Sequence, residues 1–250
     1  MSATASQKAV ASDTKEPSRI DVWDLPLRLF HWLLVLAVAV AFLSSEEDSP
    51  LNVWHVLAGW VAGVLIVFRL VWGFVGGEHS RFADFVRPSR VGEHISGLLH
   101  RRSERTLGHN PLGGLSVILL LALAAATVLS GAFGGEGAED FHELIAWTLL
   151  AFVGLHVAAV VAMSVLEREN LVAAMITGKK PGQRHPRGAN ARPPGLTGVA
   201  VAMVVLALTV YGILSYDPHA FTLRRAEAFE QRASSNGEAS RTHPDERDND

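Results

Sequence analysis

Five long apolar stretches, separated by polar segments, dominate the pattern of the chain. Each is close to the roughly 20 residues that an α-helix needs to cross a bilayer. We therefore predict an all-α membrane protein, in which an antiparallel four-helix transmembrane bundle is followed by a fifth, C-terminal transmembrane helix. The predicted spans are Leu27–Ser44, Leu51–Val75, Leu112–Phe133, Phe141–Leu166 and Leu196–Ser215.

The polar segments predict the rest of the domain organisation. The first residues are polar and lack the apolar centre of a signal peptide. We predict that they form a disordered tail, and that the end of the chain, which is poor in apolar residues, forms another. The predicted domains are a disordered tail (1–19), a four-helix domain (20–182), a basic proline-rich linker (183–195), the fifth helix (196–215) and a mostly disordered tail (216–250).

Basic and acidic residues alternate between the apolar stretches. The connections 76–111 and 167–195 each hold six Lys or Arg, whereas the turns 44–50 and 134–140 hold none and are acidic. Lys and Arg favour the cytoplasmic side of a membrane. The pattern therefore predicts a cytoplasmic N-terminus and a C-terminal tail on the outer side. Within the first basic connection, residues 91–100 predict a short amphipathic helix at the interface.

The composition narrows the chemistry. Hydrophobic residues make up 49% of the chain, and it has no cysteine. This excludes disulfides, thiolate metal sites, iron–sulfur clusters and covalent haem attachment through C-x-x-C-H. Any metal must be held by histidine, carboxylate, methionine or tyrosine. The formal net charge of −3 is small, and no nucleic-acid partner is expected.

Four of the eleven histidines lie within the predicted spans: His31, His55, His142 and His156. An ionisable side chain inside a membrane is costly and is by default a candidate for function. One such histidine could simply hydrogen-bond across helices, but four at matching depths are harder to explain in that way. The other seven lie in loops or tails, where a solvated or interfacial role is expected: His79, His94, His100, His109, His185, His219 and His243.

The depths of the four histidines predict two pairs. His142 and His156 are fourteen residues apart, which places them on one face of a helix about 21 Å apart along its axis. His55 begins the second span on the outer side, level with His142, and His31 begins the first span on the inner side, level with His156. Two stacked pairs of imidazoles in a four-helix bundle are typical of two b-type haems, each held by two axial nitrogens without a covalent link.

Small and basic residues near these histidines are candidates for the walls of the haem sites. Arg28 and Arg69 are candidate partners for haem propionates, although basic residues at this depth also snorkel to the surface. The six tryptophans fall mostly near span ends, as in a membrane aromatic belt. Glycines let helices separate around a macrocycle or pack closely together, and both roles stay open for Gly59, Gly63, Gly131 and Gly154.

Several motifs together resemble one family. The motifs are WDLPLRLFHW (23–32), WHVLAGW (54–60), FRLVWGFVGGEHSRFADFVRP (68–88), GHNPLGG (108–114), FHELIAW…GLH (141–156) and NLVAAMITGKK (170–180). They resemble the bacterial cytochrome b561 family of di-haem membrane cytochromes, related to the b subunits of nickel–iron hydrogenases. The resemblance covers about residues 20–182. It implies that His31, His55, His142 and His156 ligate two haems in a bacterial inner membrane.

The expected function is transmembrane electron transfer between a quinone or quinol pool and a redox protein such as a c-type cytochrome. Bis-histidine ligation leaves no open iron position, which favours electron transfer over substrate chemistry at the metal. His109, beside Asn110 and Pro111, is either a proton relay near a quinone or a plain interfacial histidine. Whether the chain is a free-standing oxidoreductase and whether it forms a homo-oligomer are left open.

Two alternatives use the same observations. One is a membrane anchor or electron-conduit subunit of a larger dehydrogenase or hydrogenase complex. The other is a cation transporter built on intramembrane histidines. The near absence of carboxylates within the first four spans argues against a transporter, because such sites usually combine Asp or Glu with His.

Overall fold

Five long helices make up most of the described part of the chain, as the apolar pattern predicts, and each is long and apolar enough to cross a membrane. The computed structural model describes residues 19–46, 49–85, 107–109, 111–135, 137–185 and 188–223. The long helices are α1 (Leu25–Leu43), α2 (Asn52–Val75), α4 (Pro111–Phe133), α5 (Glu139–Leu166) and α7 (Leu196–Tyr216), and the short ones are α3 (Phe82–Phe85) and α6 (Leu171–Thr177). Their ends differ from the predicted spans by at most two residues. The helix predicted at 91–100 and most of both predicted tails lie outside the described residues.

Helix α2 is the centre of the packing. Helices α1, α4 and α7 all pack along α2, and α5 packs along α4. By contrast, α5 makes only marginal contact with α1 and α2. Leu149 is the only residue of α5 that is buried, in a core that includes Phe30, Ile66 and Leu121. A seam therefore separates α5 from α1 and α2 along the bundle.

The two ends of the bundle differ in structure and charge. At one end, β1 (Arg19–Asp21) pairs antiparallel with β2 (Lys179–Pro181), next to 3-10 turns at Glu78–Ser80 and Gly182–Arg184. Among the described residues, this basic end contains Arg81, Arg168, Lys179, Lys180, Arg184 and Arg192. The acidic end contains the turns between α1 and α2 and between α4 and α5. The sequence analysis did not predict the two strands, and it assigned Arg19 to the disordered tail.

Asp24 joins three segments at the basic end. Its carboxylate caps α1 by accepting a hydrogen bond from the Leu27 amide. It also accepts hydrogen bonds from Trp72 Nε1 at 3.1 Å, the Gly77 amide at 3.0 Å and Ser80 Oγ at 2.7 Å. Trp72 is only 2% exposed, so its expected place in an aromatic belt is wrong.

The linker before α7 is bound along the basic end. Asn190 Oδ1 accepts from the Asp21 amide, and the Ala191 amide donates to the Asp21 carbonyl. The Arg192 amide donates to Glu78 Oε2 at 3.0 Å, and this bond is the main cause that lowers the pKa of Glu78. Residues 188–195 are therefore a hydrogen-bonded strap that ties α7 to the rest of the bundle.

Helix α7 runs antiparallel to α2. Near its start, Gly198 lies against the Val75 carbonyl at the end of α2. Near its end, Tyr216 contacts the Trp60 and Phe133 rings at centroid distances of 6.1 and 5.2 Å. The chain therefore leaves α7 at the acidic end, opposite to β1.

Candidate functional site

The structure brings His55 and His142 together across the seam at the acidic end. Their ring centroids are 6.0 Å apart, with planes inclined by 77°. Bonds of about 2 Å from each of two imidazoles to one metal would place the nitrogens about 4 Å and the ring centroids about 6 Å apart. The spacing of these two rings therefore suits a metal between them.

The hydrogen bond of His55 fixes which ring nitrogen is free. His55 Nδ1 lies 2.7 Å from the carbonyl oxygen of Ala41. A carbonyl can only accept, so Nδ1 carries the proton and Nε2 keeps a lone pair. Ala41 lies in the last turn of α1, where carbonyls have no partner within the helix. The end of α1 thus orients an imidazole of α2.

His142 is oriented in the same way by α4. Its Nδ1 lies 3.1 Å from Ser130 Oγ, and that hydroxyl lies 3.0 Å from the Thr127 carbonyl. A Cβ at Gly131 would come within 2.8 Å of His142 Cε1, so the ring rests against the backbone of α4. All four helices of the bundle therefore contribute to the acidic-end pair.

His31 on α1 and His156 on α5 both lie in the half of their helix nearer to the basic end. The His31 ring packs edge-on against Trp32 at 5.0 Å, and its Nδ1 is buried without a hydrogen-bond partner among the described residues. His31 lies ten residues, or about 15 Å, before Ala41 on α1. The second pair therefore occupies a second level of the bundle, and its rings make no direct contact within the described part of the chain.

The candidate glycines separate into two groups. A Cβ at Gly59 would have no atom within 4 Å, and Gly59 lies one turn after His55 on the same face of α2. Gly63 instead packs against Val128, as Gly131 packs against His142. Gly154 also faces open space, but it lies about 200° around α5 from His156. Of the four glycines, only Gly59 combines open space at its Cβ position with a place on the same helix face as a candidate histidine, His55.

Arg69 is a buried cation, and the alternative of a snorkelling side chain is wrong for it. It is 1% exposed, and its guanidinium lies 4.6 Å from the centroid of the Phe82 ring. Neither Nη1 nor Nη2 has a hydrogen-bond partner among the described residues. Arg28 is half-buried and donates to the Ile176 carbonyl, while its Nε is buried and unpaired within the same part of the chain. Both side chains hold donors that an anion would satisfy.

His109 also lies in an enclosed position at the basic end. Its ring lies 4.6 Å from the centroids of both Trp23 and Phe85, and its Nδ1 is buried without a partner among the described residues. Burial, aided by the charge of Arg69, lowers the pKa of His109 to about 3. The ring is therefore neutral at physiological pH, with a buried Nδ1 that has no hydrogen-bond partner among the described residues.

The sequence analysis missed a buried ionic cluster at this end. Glu169 Oε2 lies 3.2 Å from His185 Nε2, and Glu169 Oε1 lies 3.6 Å from Lys180 Nζ. All three side chains are at most 5% exposed. The expected solvated role of His185 is therefore wrong, and no short motif in the sequence signals this cluster. The cluster anchors β2 to the segment that follows α5.

Comparisons with known proteins agree with this architecture. Residues 22–178 match the family model described as prokaryotic cytochrome b561. A probable Ni/Fe-hydrogenase B-type cytochrome subunit of Rhizobium leguminosarum bv. viciae is 24% identical over 216 residues, covering 66% of this chain and 90% of the relative. Subunits of the same description in Cupriavidus necator and, for hydrogenase 1, in Escherichia coli K12 are 23% and 22% identical, and the matches cover 93% and 88% of those relatives. No solved structure matches.

The matched range contains all four candidate histidines and all four helices of the bundle, whereas α7 lies beyond it. It also spans more than half of the chain. This multi-pass membrane chain therefore belongs to the prokaryotic cytochrome b561 family of b-type haem proteins.

Proposed function

We propose that this protein carries electrons across the membrane by means of two b-type haems, one at each level of the seam. His55 and His142 would hold one haem, and His31 and His156 the other. The observation that carries the proposal is the facing of the His55 and His142 rings at a centroid distance of 6.0 Å, with the Nδ1 atom of each ring within hydrogen-bonding distance of an oxygen on a neighbouring helix. Rings oriented in this way would present Nε2 to a haem iron.

The seam supports a flat group between α5 and its neighbours. Helix α5 meets α1 and α2 only marginally, and open space adjoins Gly59. Small residues and separated helices are what a macrocycle needs within a bundle. The chain has no cysteine, so noncovalent binding by histidine is consistent with its composition.

The basic end supports a group with carboxylates. Arg69 is buried with two unpaired nitrogens, and an isolated buried charge is costly. Haem propionates are anions that pair with such a guanidinium. We assign Arg69, with Arg28, to the propionates of the basic-end haem, and we assign Gly59 to the wall of the acidic-end slot.

Haem supplies one-electron chemistry when it is bound, and the residues of this chain determine how it is held. Two histidines would hold each haem, which would leave no free position on the iron for oxygen or a substrate. The carbonyl of Ala41 and the hydroxyl of Ser130 fix the ring orientations at the acidic end. The apolar helices exclude water and ions from the path between the two levels.

Haem stoichiometry and matched variants test this assignment. The purified protein is expected to show a b-type α-band with about two haems per chain. His55→Ala and His142→Ala should each remove the same spectral component, and His31→Ala and His156→Ala should remove the other. His219→Ala, which alters an exposed histidine beyond α7, is the control and should retain both haems. If His31→Ala and His55→Ala both removed the same spectral component, the result would contradict the pairing.

A quinone or quinol near the basic end is the electron partner that we propose within the membrane. The support is His109, a neutral hydrogen-bonding ring held between Trp23 and Phe85 beside the cation Arg69. His109→Ala should then slow quinol-dependent haem reduction by about tenfold or more while both haems remain bound. Equal rates for the variant and the wild type would exclude His109 from the quinone site.

The second candidate is an electron-conduit subunit of a hydrogenase complex. It is favoured by the relatives, which are described as probable Ni/Fe-hydrogenase B-type cytochrome subunits. Mild extraction from the native membrane and affinity purification of the tagged chain test it. A stoichiometric hydrogenase and hydrogen-dependent haem reduction would support this candidate, whereas reduction by quinol and oxidation by a c-type cytochrome without further subunits would support the free-standing protein.

A further inference from the structure

We infer that Ser130 is a positioning residue that lowers the reduction potential of the acidic-end haem through its hydrogen bond to His142. This inference rests on the proposed function, because it assumes that His142 is an axial ligand. It adds a residue of α4, a helix that supplies no ligand, to the determinants of electron transfer.

The direction of the hydrogen bond follows from the donors available. A serine hydroxyl carries one hydrogen, and Ser130 Oγ lies 3.0 Å from the Thr127 carbonyl, which can only accept. A hydroxyl hydrogen used there leaves Oγ free to accept. A His142 ring that binds iron through Nε2 carries its proton on Nδ1, and this Nδ1–H donates to Ser130 Oγ at 3.1 Å.

Close packing holds the ring at this hydroxyl. The next residue, Gly131, leaves no room for a Cβ, which would lie 2.8 Å from His142 Cε1 and 3.0 Å from Nδ1. The Thr127 carbonyl, 3.0 Å from Ser130 Oγ, adjoins the same site. The last turns of α4 therefore form a seat that fixes both the tautomer and the rotation of the imidazole.

A bond of this kind acts on the metal through the ring. An Nδ1–H that donates to an oxygen makes the imidazole a more basic ligand, which stabilises the more positive ferric iron and lowers the reduction potential. His55 receives the same support from the Ala41 carbonyl, which no side-chain substitution removes. Ser130 is therefore a side chain through which the potential of the acidic-end haem is adjustable independently of the other haem.

Redox titration of the purified holoprotein tests the inference, with potential and spectrum as readouts. Ser130→Ala should raise the potential of the component that His55→Ala removes, change its low-spin EPR signal and leave the other component unchanged. Ser130→Thr should restore the wild-type potential, because it keeps a hydroxyl at this position. Ser116→Ala is the control, since Ser116 on the same helix also bonds an i−3 carbonyl but no histidine. Ser130→Ala could instead lose only the acidic-end haem, with Ser130→Thr binding it again. This result would also support the role of Ser130 in positioning His142.

Two results overturn the inference. One is a Ser130→Ala protein that binds both haems with unchanged potentials. This would mean that the Ser130 hydroxyl is not needed, because the Thr127 carbonyl suffices as the acceptor for His142. The other is a shift confined to the component that His31→Ala removes. Either result leaves the proposed function standing, whereas a wild-type protein without two haems would refute the proposed function itself.

Discussion

At the scale of single residues, the open space beside Gly59 separates a functional glycine from a packing glycine. Leucine at this position meets no protein atom near its Cβ, so Gly59→Leu should leave the helices folded. Its side chain would occupy the seam beside His55, and we expect the haem content to fall by about one per chain. Gly212→Leu is the control, because Gly212 on α7 also faces open space but lies far from the seam. Equal haem content in the two variants would show that Gly59 does not border the haem.

Arg69 should influence the basic-end haem through its charge. A nearby cation favours the reduced, less positive iron, so Arg69→Gln should lower the potential of that haem, by an amount on the order of 1 kcal/mol at an effective dielectric constant near 20. The Arg192→Gln variant is the comparison, since Arg192 is 85% exposed and should change neither potential. Redox titration measures both. A potential that does not move in Arg69→Gln would exclude a propionate as the partner of this guanidinium.

The residues differ in how far the sequence could predict them. His55 and His142 were predictable, because helical geometry and membrane depth place them level with each other. The roles of Trp72 and Ser130 were not, because each depends on one hydrogen bond between helices that the apolar pattern does not encode. For Arg69 the sequence left two alternatives open, a partner for a haem propionate and a side chain that snorkels to the surface. Its burial beside the Phe82 ring argues against snorkelling.

At the scale of elements, Asp24 determines how α1 joins the basic end. Asp24→Ala removes a helix cap worth about 1 kcal/mol and leaves the Trp72, Gly77 and Ser80 donors without an acceptor, at about 1–3 kcal/mol for each that stays buried. We expect a loss of about 4 kcal/mol or more of stability, measured by the thermal unfolding of the detergent-solubilised protein. Asp21→Ala, which removes only an exposed ion pair with Lys179, should cost about 1 kcal/mol or less. Similar losses in both variants would contradict the role assigned to Asp24.

Helix α7 should be separable from haem binding. Gly198→Leu places a Cβ 2.6 Å from the Val75 carbonyl, so α7 must move away from α2, at a cost of about 1–3 kcal/mol. The haems should stay bound, because α7 packs on α2 whereas His55 faces His142 on α5. Unfolding temperature and haem content of the variant measure the two effects. Loss of haem from Gly198→Leu, with Gly212→Leu intact, would show that α7 supports the haem sites.

The helices were predictable to within two residues because lipid requires long, uninterrupted apolar runs. The β1–β2 pair, the strap and the Glu169 cluster were not, since three-residue strands and buried ion pairs carry no periodic signal. All of these lie at the basic end, where the polar segments fold against each other instead of repeating a pattern.

At the scale of the whole molecule, the two ends have opposite charge, and we predict that the basic end faces the cytoplasm. The natural chain has no cysteine, so single cysteines can report its orientation without background. A membrane-impermeant maleimide should label Glu139→Cys in intact spheroplasts, whereas Arg192→Cys should react only after the membrane is permeabilised. Both positions are exposed. The reverse pattern of labelling would invert the predicted orientation.

The marginal contact of α5 with α1 and α2 has a consequence for biogenesis. If the macrocycles fill that gap, insertion of haem and completion of the tertiary structure are thermodynamically linked, because a ligand that binds only the folded state stabilises it. Cells starved of iron or of porphyrin precursors should then accumulate little of this protein, since chains without cofactor would present an incomplete interior to membrane proteases.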